Sequence, residues 1–352
     1  MVATVLCFGN LQLDVLCRTV TALPPPGELQ MIDTIDFALS GNGGNVAAAL
    51  GRLGLEVELA GYSGADIIGE QFRITLAAMG VGTDKLLRHP MASTGTSVIT
   101  LSPGGERSII FVNGANGLFD LEAVPDDWLD RKRVVSVGSV FVLPQFTGEA
   151  VGRLFARARA HGAITVLNIC WDATGQGLPF LKSALAQADY FILSYDEGRH
   201  LTGHTLAESI LDNLQAYTHG TVVLTLGAEG CCLYCEDGLQ RIPAQAVEAT
   251  DCTGAGDSFV AGFISGLVHD RPMYDCARLG CKVAAFAVTG PGAYPRIPTL
   301  AEVEQFDTLL PNVMTSYASR IGGDSQEPNP LKGDGLVRTS SPDQTQLARA
   351  PL

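Results

Sequence analysis

The run Asp251-Cys-Thr-Gly-Ala-Gly-Asp-Ser258, continued without a break by Phe-Val-Ala-Gly-Phe-Ile-Ser-Gly-Leu267, decides how the chain is read. Three small residues, two of them glycines, precede a carboxylate and an apolar run of helical periodicity, which predicts a tight turn opening into a helix. The first amides of such a helix lack intrahelical acceptors and sit at the positive end of its dipole, so the turn suits phosphate oxygens. A side chain larger than methyl at Gly254, Ala255 or Gly256 would block their approach. Asp257 has two readings: a carboxylate that stabilises the helix N-terminus, or a general base that orients and deprotonates a hydroxyl beside the bound phosphate.

Working outward, the chain from Arg133 onward alternates strand and helix patterns: strands at 133–138, 163–169, 189–193 and 221–226, helices at about 147–160, 178–186, 205–217, 255–269 and 272–288, with a hairpin at 231–242. Repeated units of this kind imply a largely parallel sheet covered on both faces. Towards the N-terminus, 2–9 reads as a strand that places Asn10 and Asp14 at its C-terminal end, where open α/β sheets bind ligands. The segment 43–53 reads as a helix opening from Gly41-Asn-Gly-Gly-Asn45, a loop of small residues and amides that can donate and accept together. A strand at 56–62 and a helix at 67–79 follow. The stretches 29–38, 96–101 and 108–112 read as strands without crossover helices, hence as a separate small sheet. Residues 316–352, rich in Gly, Pro, Ser and Gln, read as a polar tail.

Composition narrows the function. Apolar residues make up 46% of the 352, enough for a large core, and the formal net charge of −14 argues against nucleic acid or an anionic membrane surface as partner. No apolar stretch is long enough to span a bilayer, and the first residues lack the basic start of a signal peptide, so a cytoplasmic protein is expected. The nine cysteines are scattered; Cys231-Cys232-x-x-Cys235 has no second ligand pair or nearby histidine for zinc. No lysine follows a glycine, which removes the phosphate-binding Gly-Lys-Ser/Thr loop, and no Gly-x-Gly-x-x-Gly follows a strand.

Asp251-x-Thr-Gly-Ala-Gly-Asp257 and Gly41-Asn-Gly-Gly-Asn45 resemble, in matching order, the two signatures of the ribokinase-like, or PfkB-type, carbohydrate kinases, and the resemblance runs from about residue 3 to about 310. It implies a three-layer α/β/α domain over 1–315, with a mainly parallel central sheet and a small β-sheet lid from strands within about 14–38 and 96–112. It implies ATP-dependent phosphorylation of a primary hydroxyl on a sugar-like molecule, with Mg²⁺, in some members K⁺, and a homodimer formed through the lid. Asp257 is then the general base and Gly254, Ala255 and Gly256 the anion hole. Asp14, Gly41, Asn42, Gly43, Gly44 and Asn45 hold the sugar, joined by Arg107 from the lid and Asp172 after a strand. Ser194, Glu197, Thr225, Gly227, Gly230, Gly254 and Gly256 meet the nucleotide. Ser194 stands where the family usually has asparagine. Glu197 orients Mg²⁺ through water, and Asp251 with Thr253 offers oxygens to K⁺; the run 287–295 walls the nucleotide. A nucleoside kinase of the same fold, with Phe111 or Phe141 stacking on a base, and a non-catalytic sugar-binding protein are the alternative readings.

Overall fold

Successive residues of the central strands serve two different cores. In the computed structural model, which describes residues 4–102, 107–235, 238–290 and 297–309, Val5, Cys7, Val134, Val166, Ile192 and Val223 pack on one side, and Leu6, Phe8, Val135, Leu167, Phe191 and Leu224 on the other. This is the period-two alternation of a strand buried on both faces. Each such side chain contributes roughly 1.5–3 kcal/mol by leaving water.

In chain order the elements begin with β1 (Thr4–Phe8), β2 (Gln12–Arg18), β3 (Thr34–Ser40), α1 (Asn42–Arg52), β4 (Glu56–Gly64) and α2 (Ile67–Ala78). Next come β5 (Val81–Gly82), β6 (Leu86–His89), β7 (Gly95–Leu101), β8 (Arg107–Val112), β9 (Lys132–Val137), α3 (Gly148–Ala160), β10 (Ile164–Asn168) and α4 (Gly177–Leu185). The remainder is β11 (Tyr190–Ser194), α5 (Tyr195–Thr202), α6 (Ala207–Gln215), β12 (Thr221–Thr225), β13 (Cys231–Cys235), β14 (Gly238–Ile242), α7 (Ala255–Val268), α8 (Met273–Ala287) and α9 (Leu300–Leu309).

The central sheet has ten strands in the order β14-β13-β12-β11-β10-β9-β1-β4-β5, with β6 also beside β4. All its pairs are parallel except β12/β13 and β13/β14. Helices α1, α2, α7 and α8 cover one face and α3, α4 and α6 the other, so the expected three-layer α/β/α fold is the one observed. From β1 the chain builds outward through β4, then returns to β9 on β1's other side and builds the opposite way. The strand order therefore reverses between β1 and β9, and a crevice opens at their carboxyl ends.

Helix α7 is buried at every residue from Ser258 to Val268. It lies close to α8 because small residues meet: a Cβ on Gly262 would come within 2.8 Å of the Gly280 Cα, and one on Gly266 within 2.7 Å of the Cys276 Cα. A helix packed this tightly holds its N-terminus in a fixed place.

The second sheet runs β3-β2-β7-β8. Register puts Asp14, Ala38, Ser97 and Phe111 in one row, and Val15, Phe37, Val98 and Ile110 in the next row, on the opposite face. On that second face Phe37 is 70% exposed and Ile110 59%.

Several boundaries differ from the sequence reading. Asp14 does not follow β1 as a loop residue; it sits inside β2, which alternation alone left unmarked because Gln12–Arg18 is half-buried on both faces. Strand β3 starts at Thr34, not near 29, and the short elements β5, β6, α5 and α9 were not anticipated. Both sheets belong to one compact unit, which ends at Asp307. The expected boundary at 315–316 and the polar tail lie outside the described residues. Among the described residues no helix is long and apolar enough to cross a membrane, and Cys7, Cys17, Cys170, Cys231, Cys232, Cys252, Cys276 and Cys281 are free thiols.

Candidate active site

Gly254 begins the site. It adopts φ 75°, a left-handed conformation natural to glycine, and turns the chain into α7. The turn before it is locked by Asp251, whose Oδ1 accepts from the Thr253 amide at 2.9 Å and the Thr253 hydroxyl at 2.7 Å. Of the three small residues expected to present amides, Ala255 is a correction: its N–H donates to the Cys252 carbonyl at 3.2 Å. The amides of Gly256 and Asp257, second and third in the helix, have no intrahelical acceptor, the arrangement that suits an anion. A Cβ placed on Gly256 would meet nothing within 4 Å, so the space beside it is open.

The Asp257 carboxyl is gripped from α1. Asn42 Nδ2 donates to Oδ1 at 2.5 Å and Asn45 Nδ2 to Oδ2 at 2.6 Å. The two amides lie three residues apart and so share a helix face. Burial pushes the Asp257 pKa up to about 7; the Asn45 and Asn42 hydrogen bonds oppose the rise and the nearby Glu197 carboxylate adds to it. A carboxyl that titrates near neutrality is suited to exchange a proton with an alcohol. Because both amide nitrogens face Asp257, the Asn42 and Asn45 Oδ1 atoms point elsewhere, and both are buried without a partner, as is Asn168 Oδ1.

The glycines of the 41–45 loop act first on the backbone. Gly41 adopts φ 101°, and a Cβ there would lie 2.6 Å from the Asn10 carbonyl oxygen; one on Gly43 would lie 2.6 Å from the Gly9 Cα. They let the start of α1 rest against the end of β1, which is what brings Asn42 and Asn45 to Asp257. Gly44, buried with them, donates its amide to the Asn10 carbonyl at 3.3 Å.

Asp14 is buried on the lid strand β2. Its Oδ1 accepts from Gln12 Nε2 at 2.7 Å and from Ser97 Oγ at 2.5 Å, a cluster of three polar side chains from two neighbouring strands.

Two cavities adjoin at α7. One of about 420 Å³ is lined by Thr225, Gly227, Gly230, Cys252, Gly256 and Val288 among others. The second, of about 280 Å³, is lined by Asn42, Asn168, Trp171, Ser194, Glu197 and Asp257 among others, and shares Thr225 and Gly256 with the first. Gly230 is held by the fold, since a Cβ there would come within 2.0 Å of the Ile242 carbonyl oxygen; Gly227 faces open space. Ser194 and Glu197 form a reciprocal cap of α5: Glu197 Oε2 accepts from the Ser194 amide at 2.8 Å, and Ser194 Oγ from the Glu197 amide at 3.3 Å. This gives the serine at 194 a local reason that the Ser-x-x-Glu spacing could have signalled. Burial raises the Glu197 pKa against the lowering effect of those Ser194 bonds.

Other expected residues stand apart. Asp172 turns inward: its oxygens accept from the amides of Thr174, Gly175 and Gly177 and from the Thr174 hydroxyl. Burial works to raise its pKa, but these bonds outweigh it and hold the carboxyl below the usual range. A carboxylate so engaged holds its own turn. The Arg107 side chain and residues 291–296 lie outside the described residues. Phe141 is a core residue stacked on Phe180 at 5.6 Å, whereas Phe111 shares the row of Asp14. Asn10, Gln12, Ser97, Asn168 and Trp171 were not singled out as site residues; only Asn10 carried a signal, its place at the end of the first strand. Among the described residues no group of three or more His, Cys, Asp or Glu could hold a metal ion directly.

Known proteins resemble this chain over most of its length. A family model described as pfkB family carbohydrate kinase matches residues 2–300. The chain is 30% identical over 318 residues to the ribokinase of Staphylococcus aureus, covering 87% of this chain and 100% of that one. It is 26% identical over 318 residues to the probable fructokinase-5 of Arabidopsis thaliana, covering 86% of this chain and 96% of that one. It also superposes on the structure of Arabidopsis thaliana ribokinase complexed with ribose and ATP, with a TM-score of 0.77 at 23% identity, covering 87% of this chain and 98% of that one. The chain belongs to the pfkB family of carbohydrate kinases, and is an ATP-dependent phosphotransferase acting on sugars.

Proposed function

We propose that this kinase transfers the γ-phosphoryl group of ATP to a primary hydroxyl of an uncharged sugar, with Asp257 as general base. The observation that carries the reading is the Asp257 carboxyl, held between Asn42 and Asn45 at the open end of α7 and next to Gly256, which lines both cavities. The hydroxyl proton passes to a carboxylate oxygen of Asp257. The freed oxygen bonds to the γ-phosphorus from the side opposite the β,γ-bridging oxygen, and the bond to that bridging oxygen breaks to release ADP. The Gly256 and Asp257 amides stabilise the charge on the transferred group. The Asp14, Gln12 and Ser97 cluster and the 41–45 loop receive the other sugar hydroxyls, whose loss would leave buried oxygens unpaired.

The nucleoside end of ATP is assigned to the larger cavity, against Thr225, Gly227 and Gly230. Glu197 beside Ser194 would hold a hydrated magnesium ion through its water, and the ion would supply positive charge against the nucleotide phosphates. Asp251 and Thr253 are the side chains we assign to potassium. Free thiols such as those of Cys7, Cys232 and Cys276 favour a reducing compartment, the cytoplasm. The side chains assigned to the sugar hydroxyls, those of Asp14, Gln12, Ser97 and the 41–45 loop, include no Lys or Arg, which favours a neutral sugar over a sugar phosphate or sugar acid. A nucleoside is the second reading, favoured by Phe111 on the Asp14 face of the lid.

The test is a panel of ribose, fructose, 2-deoxyribose, a sugar acid, a sugar phosphate and adenosine with ATP and magnesium, with and without potassium, read by direct detection of the phosphate ester. A phosphorylated neutral sugar is expected. Faster turnover of adenosine would favour the nucleoside reading. Sugar binding by calorimetry with no ester formed would overturn the kinase assignment.

A further inference from the structure

Two helix N-termini converge on Asp257, but only that of α7 is open. At the start of α1 the capping position is Gly41, which has no side chain and no room for one. Its place is filled from another element. Asn10, 6% exposed beyond the end of β1, accepts from the Asn42 amide through Oδ1 at 2.9 Å and from the Gly44 amide through its carbonyl at 3.3 Å. The same Oδ1 accepts from Ser139 Oγ at 2.8 Å, in the segment after β9. Its Nδ2 reaches Gln12 Oε1 at 3.4 Å, and Gln12 in turn donates to Asp14.

Asn10 makes no hydrogen bond to Asp257 itself; the residue it holds does. We propose that Asn10 is a positioning residue for the reaction: it fixes the first residue of α1 so that the Asn42 amide meets the Asp257 carboxyl, and through Gln12 it ties that contact to Asp14 on the lid sheet. The proposal rests on the reading of Asp257 as general base. Its physical basis is that a helix is placed by its end contacts: two of the amides that a helix leaves without acceptors are satisfied here by one residue anchored to both β1 and the end of β9. Without that grip the start of α1 is free to move along its axis, and the Asn42 to Asp257 bond is the first to lengthen.

The groups facing Asp257 are Asn42 and Asn45 from α1, Glu197 from α5 and the Cys170 thiol after β10. Of these only the two amides favour the ionised carboxylate. Loss of the Asn42 bond therefore leaves burial and Glu197 less opposed, and the carboxyl holds its proton to higher pH.

The experiment compares wild type, Asn10→Ala, Asn42→Ala and the double variant. Asn10→Ala is expected to lower kcat between about 10- and 100-fold, the range for a reacting group displaced by a fraction of a bond length to an ångström, with nucleotide affinity within twofold of wild type. The acid limb of the kcat/KM profile should move to higher pH. The carboxyl ¹³C signal of Asp257, assigned by its loss in Asp257→Asn, should titrate at correspondingly higher pH. Asn42→Ala should shift both by a similar amount, and the double variant no further, because one effect passes through the other. Additive shifts, or an Asn10→Ala variant whose Asp257 signal titrates as in wild type, would overturn the proposal. Asn10→Leu, of similar volume, replaces Asn10→Ala if the alanine variant has no cooperative thermal transition. The ¹³C titration needs no substrate, so it decides the role of Asn10 independently; the general-base reading fails separately, by normal turnover in Asp257→Asn.

Discussion

At the scale of single residues, the proposed chemistry depends on a carboxyl that the fold makes reluctant to ionise. With its pKa raised to about 7, Asp257 is protonated over much of the range in which an unfolded aspartate is charged. Two consequences follow. Activity should rise with pH through an acid limb near 7, because the base must be ionised; a kcat/KM profile flat from pH 5 to 9 would contradict this. Stability runs the other way: between the unfolded value and about 7 the native state binds more protons than the unfolded one, so this group's contribution falls as pH rises through that window. Asp257→Asn should accordingly lower kcat by at least about 10²-fold while leaving nucleotide binding intact, and should raise Tm at pH 8 relative to wild type more than at pH 5. Asp257 was legible from its place after Gly254-Ala-Gly256. Asp172 shows the limit of such reasoning, since nothing in its neighbours' identities says that its carboxylate is engaged by the amides of Thr174, Gly175 and Gly177.

At the scale of elements, α7 is a rigid mount for the anion site we propose. Its small residues let α8 approach, while Gly256 faces open space. A Cβ at Gly256 meets no protein atom within 4 Å, so substitution there should not unfold the helix; alanine would even raise helix stability by up to about 1 kcal/mol. Gly256→Val is expected to keep a native-like Tm yet lose about 2.7–4 kcal/mol of transition-state stabilisation, the value of one well-aimed donor. A folded valine variant with wild-type kcat/KM would exclude this turn from phosphoryl transfer. The periodicity of α7 was plain in the sequence. That of α5 was not, because a helix of eight residues gives too few turns for a pattern, and only the Ser194 and Glu197 spacing marked its start.

At the scale of the molecule, the two sheets divide the work. The central sheet opens a crevice where its strand order reverses, and the second sheet carries Asp14 on one face and an apolar row on the other. The exposed Phe37, Ile35 and Ile110 of that far face form the surface on which we expect a second copy to sit. Light scattering should report a dimer for wild type and a monomer for the Phe37→Asp, Ile110→Glu variant with its thermal transition retained; an unchanged mass for that variant would place any dimer elsewhere. The amino-acid sequence by itself determined the layer architecture, the turn before α7 and the place of Asp257 at its opening, because alternation, helical period and glycine placement act over a few neighbouring residues. Only the tertiary structure decided that Asn42 and Asn45 hold Asp257 from more than two hundred positions away, that Asn10 caps a helix it does not belong to, and that Asp14 rides on the smaller sheet. Hydrogen-bond partners of buried polar groups are chosen by which backbone elements come to lie side by side, and that choice is made by the packing of the whole chain.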